Sequence, residues 1–298
     1  MLKILALTTG LLALALLAAC GDDDTGTIQD GSAAQDGSSA QDASTAVDGG
    51  GGESVQILSA FFGLDNGVPG MLFGCGLTGL QDGMPIVLNR RIPLATVFDP
   101  SIFVVQRASG AQSLVACATL APAVEAEERR TILLIGEFGS IADPPVGVEI
   151  AGTLLTDEGI DVNGTLTDTV VPLAAGPSVV LAELYPPSAL PTGSTDECPA
   201  GTDHIIKVTW DGGVTAPGGA SLDETHRLGT TVEYANGELR TATLLADAGD
   251  NDNHVELCMS DPGQPVAITV DAGLYEDPNG DLNALHSQVI IDAYALSP

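Results

Sequence analysis

From Ser54 onward, short apolar or alternating segments recur between Gly, Pro, Asp and Asn residues, and this pattern predicts an all-β fold. Segments such as Ile205–Trp210 and His254–Met259 have the length of single strands. Sequences such as Asp211-Gly212-Gly213 supply the turns between them. Ala123–Arg130 is the one helix-like stretch, and it is short enough to be a connection between strands.

A cluster of Pro and Gly residues between Tyr185 and Gly201 interrupts the strand pattern and indicates a domain boundary. The region after the cluster begins a new set of strands at His204. The length from Ser54 onward suits two modest domains better than one. We therefore expect one β-sandwich domain over 54–186 and a second over 187–298.

The segment Val97–Val105 resembles the opening of the Ig-like modules that repeat in bacterial surface proteins. In those modules an Asp-Pro-Ser turn leads into a strand whose alternate residues face the core. The second half has the order Cys198, Trp210, Cys258, which is similar to antibody-type domains. It departs from them because Cys198 lies among turn residues and Glu256 stands where those domains have a tyrosine. The resemblance implies two Ig-like β-sandwiches, without immunoglobulin homology.

An apolar segment, Ile4–Ala19, follows Lys3 and ends in Leu17-Ala18-Ala19-Cys20. It is shorter than the about 20 apolar residues of a membrane span. The four-residue sequence resembles the cleavage box of bacterial lipoproteins. That resemblance implies a signal peptide over 1–19 and a lipid-modified Cys20. An ordinary secretory signal with a chance cysteine, or an uncleaved anchor, is the alternative.

Residues 20–53 are rich in Gly, Ser, Ala, Asp and Gln and contain a repeated six-residue unit beginning at Gln29, Gln35 and Gln41. This composition cannot bury enough apolar surface to offset the entropy of ordering, so we predict a disordered acidic tether. Gly21 follows Cys20 where an Asp would favour retention at the inner membrane. We therefore expect an outer-membrane lipoprotein, at the periplasmic face or the cell surface.

The chain carries 40 acidic and 9 basic residues, a net charge of −31. After removal of a signal peptide containing Lys3, Lys207 is the only lysine. Such a charge repels nucleic acids and anionic headgroups. We expect membrane association through the lipid anchor, an envelope protein or glycan as partner, and no nucleic acid.

Four cysteines besides Cys20 fall into two pairs that follow the domain division. Pairing within each domain, Cys75 with Cys117 and Cys198 with Cys258, is the simplest of three connectivities in an oxidising compartment. A metal site is the alternative, but the chain has no CxxC or CxxH spacing.

Asp250, Asp252, His254 and Glu256 form the densest group of candidate metal ligands. Their carboxylates would suit Ca²⁺, and the imidazole would favour Zn²⁺ or Mn²⁺. If a strand begins at His254, then His254 and Glu256 share a face and the aspartates lie on the preceding turn. A polar turn before a core strand explains the same residues.

Asp277, Asn279, Asp281 and Asn283 alternate as in calcium loops, where every second oxygen turns inward. However, Gly280 comes too early for the sharp turn of that loop, and Gln288 stands where its bidentate glutamate would be. An Asp-Pro-Asn-Gly hairpin turn is the alternative.

Signatures of nucleophilic catalysis and of phosphate binding are absent from the sequence. Gly74–Gly79 spells G-x-G-x-x-G, but the following Gly83 and Pro85 would break the helix that a dinucleotide site needs. We therefore expect a lipid-anchored envelope protein with a binding or structural role and no enzymatic activity. The alternative is a metal-dependent hydrolase that uses Asp250, Asp252 and His254 in the second domain.

Overall fold

The computed structural model describes residues 54–125, 127–190, 197–246 and 252–293. Within these ranges the fold is all-β, as predicted, and consists of two sheets of eight strands each. One short α-helix, α1 (Glu224–Leu228), lies in the described part of the chain. No helix in those ranges is long and apolar enough to cross a membrane.

The first sheet is strongly curved because one of its strands pairs with a different neighbour at each end. Its strands are β1 (Ile57–Ala60), β2 (Leu64–Pro69), β3 (Leu80–Leu88), β4 (Phe103–Arg107), β5 (Gln112–Thr119), β6 (Thr131–Gly136), β7 (Pro145–Ile150) and β8 (Thr165–Thr167). The order is β1-β3-β6-β5-β4-β7-β8, with β2 paired to β3. Strand β5 pairs with β4 through residues 112–114 and with β6 through residues 115–119. Buried side chains such as Met84, Ile86, Phe103 and Ile132 fill the core inside this curve.

The second sheet is built in the same way around its own core. Its strands are β9 (Val179–Tyr185), β10 (His204–Trp210), β11 (Thr230–Tyr234), β12 (Leu239–Thr241), β13 (Leu244–Ala246), β14 (His254–Met259), β15 (Pro265–Val270) and β16 (His286–Asp292). The order is β12-β11-β15-β16-β9-β10-β14-β13. Strand β16 pairs with β15 through 286–289 and, in parallel, with β9 through 290–292. Trp210 packs on Tyr275 in this core, with ring centroids 4.5 Å apart.

The division between the sheets lies earlier than the sequence predicts. The expected boundary at residue 186 falls between β9 and β10, which are hydrogen-bonded neighbours in the second sheet. The chain instead passes from one sheet to the other between β8 and β9. The Pro-rich sequence after Tyr185 therefore marks a connection between adjacent strands, for which Pro and Gly are equally suited. The described residues all belong to one compact unit.

Both predicted disulfides are confirmed, Cys75–Cys117 and Cys198–Cys258. Cys75 lies in a loop whose glycines, Gly74, Gly76 and Gly79, all have positive φ. This loop leads into strand β3, so the G-x-G-x-x-G sequence forms a glycine-rich turn.

Candidate functional site

Two neighbouring strands of the second sheet, β10 and β14, are buried on both faces, and one of those faces is polar. In β10, Ile206, Val208 and Trp210 enter the core, so the alternating Lys207 and Thr209 lie on the opposite face. Lys207 stands opposite Glu183 of β9 and Glu256 of β14, and Thr209 stands opposite His254 of β14. The alternation of these strands thus gathers charged side chains on a single surface.

Residues from the first sheet cover this surface and neutralise part of its charge. Arg130 holds Glu183 with two hydrogen bonds, Nε to Oε2 at 3.0 Å and Nη2 to Oε1 at 2.5 Å. The ammonium group of Lys207 lies 3.0 Å from Oε1 of Glu128 and 3.3 Å from Oε1 of Glu256. We call this set the polar interface; its members are Glu128, Arg130, Thr131, Glu183, Lys207, Thr209, His254 and Glu256.

The charges of the polar interface are almost completely removed from solvent. The side chains of Arg130 and Glu183 are 2% and 0% exposed, and those of Lys207 and Glu128 are 3% and 0% exposed. Buried charges are tolerated only when paired, and removing one partner is strongly destabilising. Lys207, the one lysine within the described residues, therefore supplies structural charge between the two sheets.

His254 lies inside this interface and is held by hydroxyl groups. Its Nδ1 is 3.2 Å from Oγ1 of Thr209, and its Nε2 is 3.5 Å from Oγ1 of Thr131. Burial lowers the pKa of His254 well below its ordinary value, and the positive charges of Lys207 and Arg130 lower it further. The imidazole is therefore neutral at physiological pH, with both nitrogens directed at threonines.

Asp252 is brought close to two glutamates of the first sheet's connection. One carboxylate oxygen from each of Glu125, Glu128 and Asp252 lies within 4.8 Å of the others. The other predicted ligands lie elsewhere: the backbone of His254 donates to Oδ1 of Asp252 at 2.7 Å while its ring points to the threonines. Asp250 lies outside the described residues.

An apolar cavity of about 140 Å³ lies beside Asp252. It is lined by Phe61, Val68, Phe73, Leu120, Leu133, Pro278 and others, with Asp252 and Asn253 among its polar residues.

Asp277, Asn279 and Asp281 form a turn capped by its own first residue. Oδ1 of Asp277 accepts the backbone N–H groups of Asn279 and Asp281, both at 2.9 Å. Gly280 has a φ of +88°, as a hairpin turn of this sequence requires. The Asn279 amide donates to the carbonyl of Gly63 at 2.5 Å, so the turn is docked against the first sheet.

Three residues near these groups are absent from the sequence-based prediction. Glu125 and Glu128 belong to the stretch that the sequence indicates as a connection, and nothing local distinguishes them from solvated acids. Asp211 belongs to a predicted turn but is 1% exposed. Burial, together with the negative charge of Asp277, raises the pKa of Asp211 to about 7. The one sequence feature that could have indicated these buried charges was Lys207, an isolated lysine in a largely apolar strand.

Comparison with known proteins adds no relative to this description. No protein-family model, curated protein or solved structure matches the chain.

Proposed function

We propose that this chain is a lipid-anchored protein of the bacterial outer membrane, whose β-sheet body binds an envelope component without catalysing a reaction. The observation that carries the proposal is an order along the chain: Leu17-Ala18-Ala19-Cys20, then an acidic Gly/Ser-rich tether, then a β-sheet unit whose strands begin at Ile57. Two acyl chains or more hold a protein stably on a bilayer, and a flexible tether lets it reach a partner.

The anchor is tested by mass spectrometry of the amino-terminal peptide from the full chain expressed in a Gram-negative host. We expect cleavage before Cys20, a mass increase equal to a diacylglyceryl group plus an acyl chain, and sedimentation with membranes. The Cys20→Ser variant is the control, and it should lack the lipid. An unmodified Cys20 in the wild-type chain would refute the proposal.

The contacts of the polar interface support a binding role. Lys207 and Arg130 are held by buried carboxylates, and the ring nitrogens of His254 by threonine hydroxyls. These groups therefore join the two sheets, and binding is left to loops, which carry recognition in many β-sandwich proteins.

The loop between β2 and β3 is the recognition surface that we favour. Its apolar side chains are exposed: Met71 is 79% exposed, Leu72 is 49% exposed and Leu80, at the start of β3, is 56% exposed. Phe73 has a φ of +56°, which is unusual for a bulky residue and is found where function maintains strain. The Cys75–Cys117 disulfide ties the loop to β5. A constrained apolar loop of this kind fits a protein partner, because apolar patches on soluble proteins mark interaction sites.

The loop is tested with a photo-crosslinking amino acid at Leu72 of the full chain in cells. The control places the same group at Leu239, which is 66% exposed on the edge strand β12. A defined protein adduct from position 72 and none from position 239 is the expected result. Equal labelling from both positions would contradict a specific role for the loop.

The alternative function, a metal-dependent hydrolase, is favoured by one observation: the carboxylates of Glu125, Glu128 and Asp252 lie close together, and Asp252 also lines an apolar cavity. Lys207 already places a positive charge 3.0 Å from Glu128, so the group is partly neutralised without a metal. Metal analysis separates the two functions. Stoichiometric Zn²⁺ or Mn²⁺ that is lost in Asp252→Asn would support the hydrolase.

A further inference from the structure

The apolar cavity beside Asp252 is lined by segments of both sheets, and we call it the loop cavity. Its wall includes Leu64 and Val68 of β2, Leu133 of β6, and Gly212 and Gly213, which follow β10. Binding sites for small groups are concave, mostly apolar, and often placed where packed parts of a fold meet. The loop cavity has each of these properties.

The volume of the loop cavity sets the size of the group that it can hold. A protein cavity of about 150 Å³ lined by leucine, isoleucine and phenylalanine stays dry and binds benzene. The loop cavity measures about 140 Å³, and its wall contains Phe61, Phe73 and Leu120. It therefore matches a single aromatic ring. Drug-sized ligands occupy pockets of about 300–1,000 Å³ and are too large for it.

The loop cavity reaches the surface next to the exposed loop between β2 and β3. Pro122 and Pro278 line the cavity and are exposed. Phe73 also lines it, and the two residues before Phe73, Met71 and Leu72, are the exposed apolar side chains of that loop. Aromatic side chains that anchor one protein on another are typically buried in pockets of this kind, surrounded by weaker contacts.

The polar part of the loop cavity is acidic. Asp252 lines the cavity, and one of its carboxylate oxygens lies within 4.8 Å of a carboxylate oxygen of Glu125 and of Glu128. The ammonium group of Lys207 lies 3.0 Å from Glu128, whereas Glu125 is exposed. The whole chain has a net charge of −31. Because complementary charges select partners and like charges exclude them, a positively charged partner fits this surface.

We propose that the loop cavity receives an aromatic side chain from a basic segment of a partner protein. The ring occupies the apolar part of the cavity, and a positive charge next to it lies toward Asp252. The inference rests on the proposed binding role of the loop between β2 and β3, and it adds the chemistry that the partner must present.

Benzylamine is the probe for this chemistry, because it joins one aromatic ring to one ammonium group. It is titrated into the full-length protein while the methyl NMR signals of Val68, Leu120 and Leu133 are followed. We expect saturable shifts of these signals. Benzylamine should bind at least about tenfold more tightly than neutral benzyl alcohol, which is the gain from about one charge-assisted hydrogen bond. Benzoate, which carries the opposite charge, should not bind.

Asp252→Asn tests the acidic part of the cavity. The asparagine oxygen can still accept the backbone N–H of His254, as Oδ1 of Asp252 does at 2.7 Å, so the local fold is preserved. This variant should bind benzylamine and benzyl alcohol equally well. A tenfold preference that persists in Asp252→Asn would overturn the assignment of the charge.

Leu133→Trp tests the apolar part, because a larger side chain in the wall fills the space. Leu239→Trp is the matched control, since Leu239 is exposed on the edge strand β12. Leu133→Trp should abolish the benzylamine shifts of Val68 and Leu120, and also the protein adduct formed from a photo-crosslinking group at position 72. Leu239→Trp should retain both. Should Leu133→Trp fail to fold, as judged by circular dichroism, the comparison with Asp252→Asn still decides.

Three results would overturn the inference: no saturable shift in the wild type, equal binding of benzylamine and benzoate, or an undiminished adduct in folded Leu133→Trp. The first result is distinguishable from a failure of the proposed function. If position 72 of the wild type gives a defined adduct while benzylamine does not bind, the binding role of the loop stands and the inference about the cavity alone is wrong.

Discussion

We expect the replacement of Arg130 by methionine to be one of the most destabilising single substitutions of a buried residue in this chain. The change leaves the carboxylate of Glu183, which is 0% exposed, without the two hydrogen bonds that neutralise it. Breaking a buried pair on one side typically costs about 3–5 kcal/mol, because an uncompensated charge stays in the interior. Arg130→Met should therefore lower the free energy of unfolding by about that amount.

Equilibrium unfolding in urea, followed by Trp210 fluorescence and by circular dichroism, measures this loss. Arg240→Met is the matched control, because Arg240 pairs with Glu238 at the surface, where the two side chains are 42% and 53% exposed. Its loss should stay below about 1 kcal/mol. The double change Arg130→Met with Glu183→Leu should recover most of the stability, since a buried pair can be replaced by apolar groups at little cost. A difference between Arg130→Met and Arg240→Met of less than about 1 kcal/mol would refute the argument.

Three further outcomes are expected. Replacing both Cys75 and Cys117 by serine should lower the free energy of unfolding by about 4 kcal/mol in denaturant titrations, because the bridge closes a loop with a sequence separation of 42; an unchanged value would contradict this. Because burial raises the pKa of Asp211 to about 7, the folded protein binds more protons than the unfolded chain between about pH 4 and 7, so stability falls as pH rises through that range. Asp211→Asn should flatten this decline in melting curves recorded without Ca²⁺, and an unaltered slope would exclude Asp211 as its source. The lowered pKa of His254 has the opposite sign: stability is lost as pH falls below about 6.5, where the unfolded histidine binds a proton. NMR titration should show a neutral His254 ring well below that pH, and an ordinary titration midpoint would contradict its placement.

Strands could be predicted from the sequence wherever apolar and polar residues alternate regularly. The prediction failed where strand pairing includes a sequence that is typical of a turn. β10 and β14 coincide with predicted runs, and the predicted common face of His254 and Glu256 is observed. Strand β2 does not follow this pattern, because it contains Asp65-Asn66-Gly67, a sequence typical of a hairpin turn. Its pairing with β3 shifts register across these residues, and Asn66 takes a φ of +52°. The pairing with β3 thus accommodates a turn-like sequence as an irregularity within an edge strand.

The candidate sites were less predictable because their members are far apart in the chain. Glu128 and Lys207 meet across 79 residues, and Asn279 reaches Gly63 across 216 residues. Such contacts depend on how the two sheets pack, which no local pattern reports. The self-capped turn at Asp277 was foreseeable from its composition, whereas nothing in the local sequence indicates that Asp211 is buried.

The parallel pairing of β9 with β16 determines how much of the chain must be synthesised before the second sheet can be completed. Strand β16 is near the end of the described sequence, yet it sits in the middle of its sheet, between β15 and the much earlier β9. A ribosome-bound chain lacking residues 286–292 therefore cannot complete that sheet, and contacts of such long separation form slowly. The second sheet would thus stay open during synthesis until β16 has emerged from the ribosome.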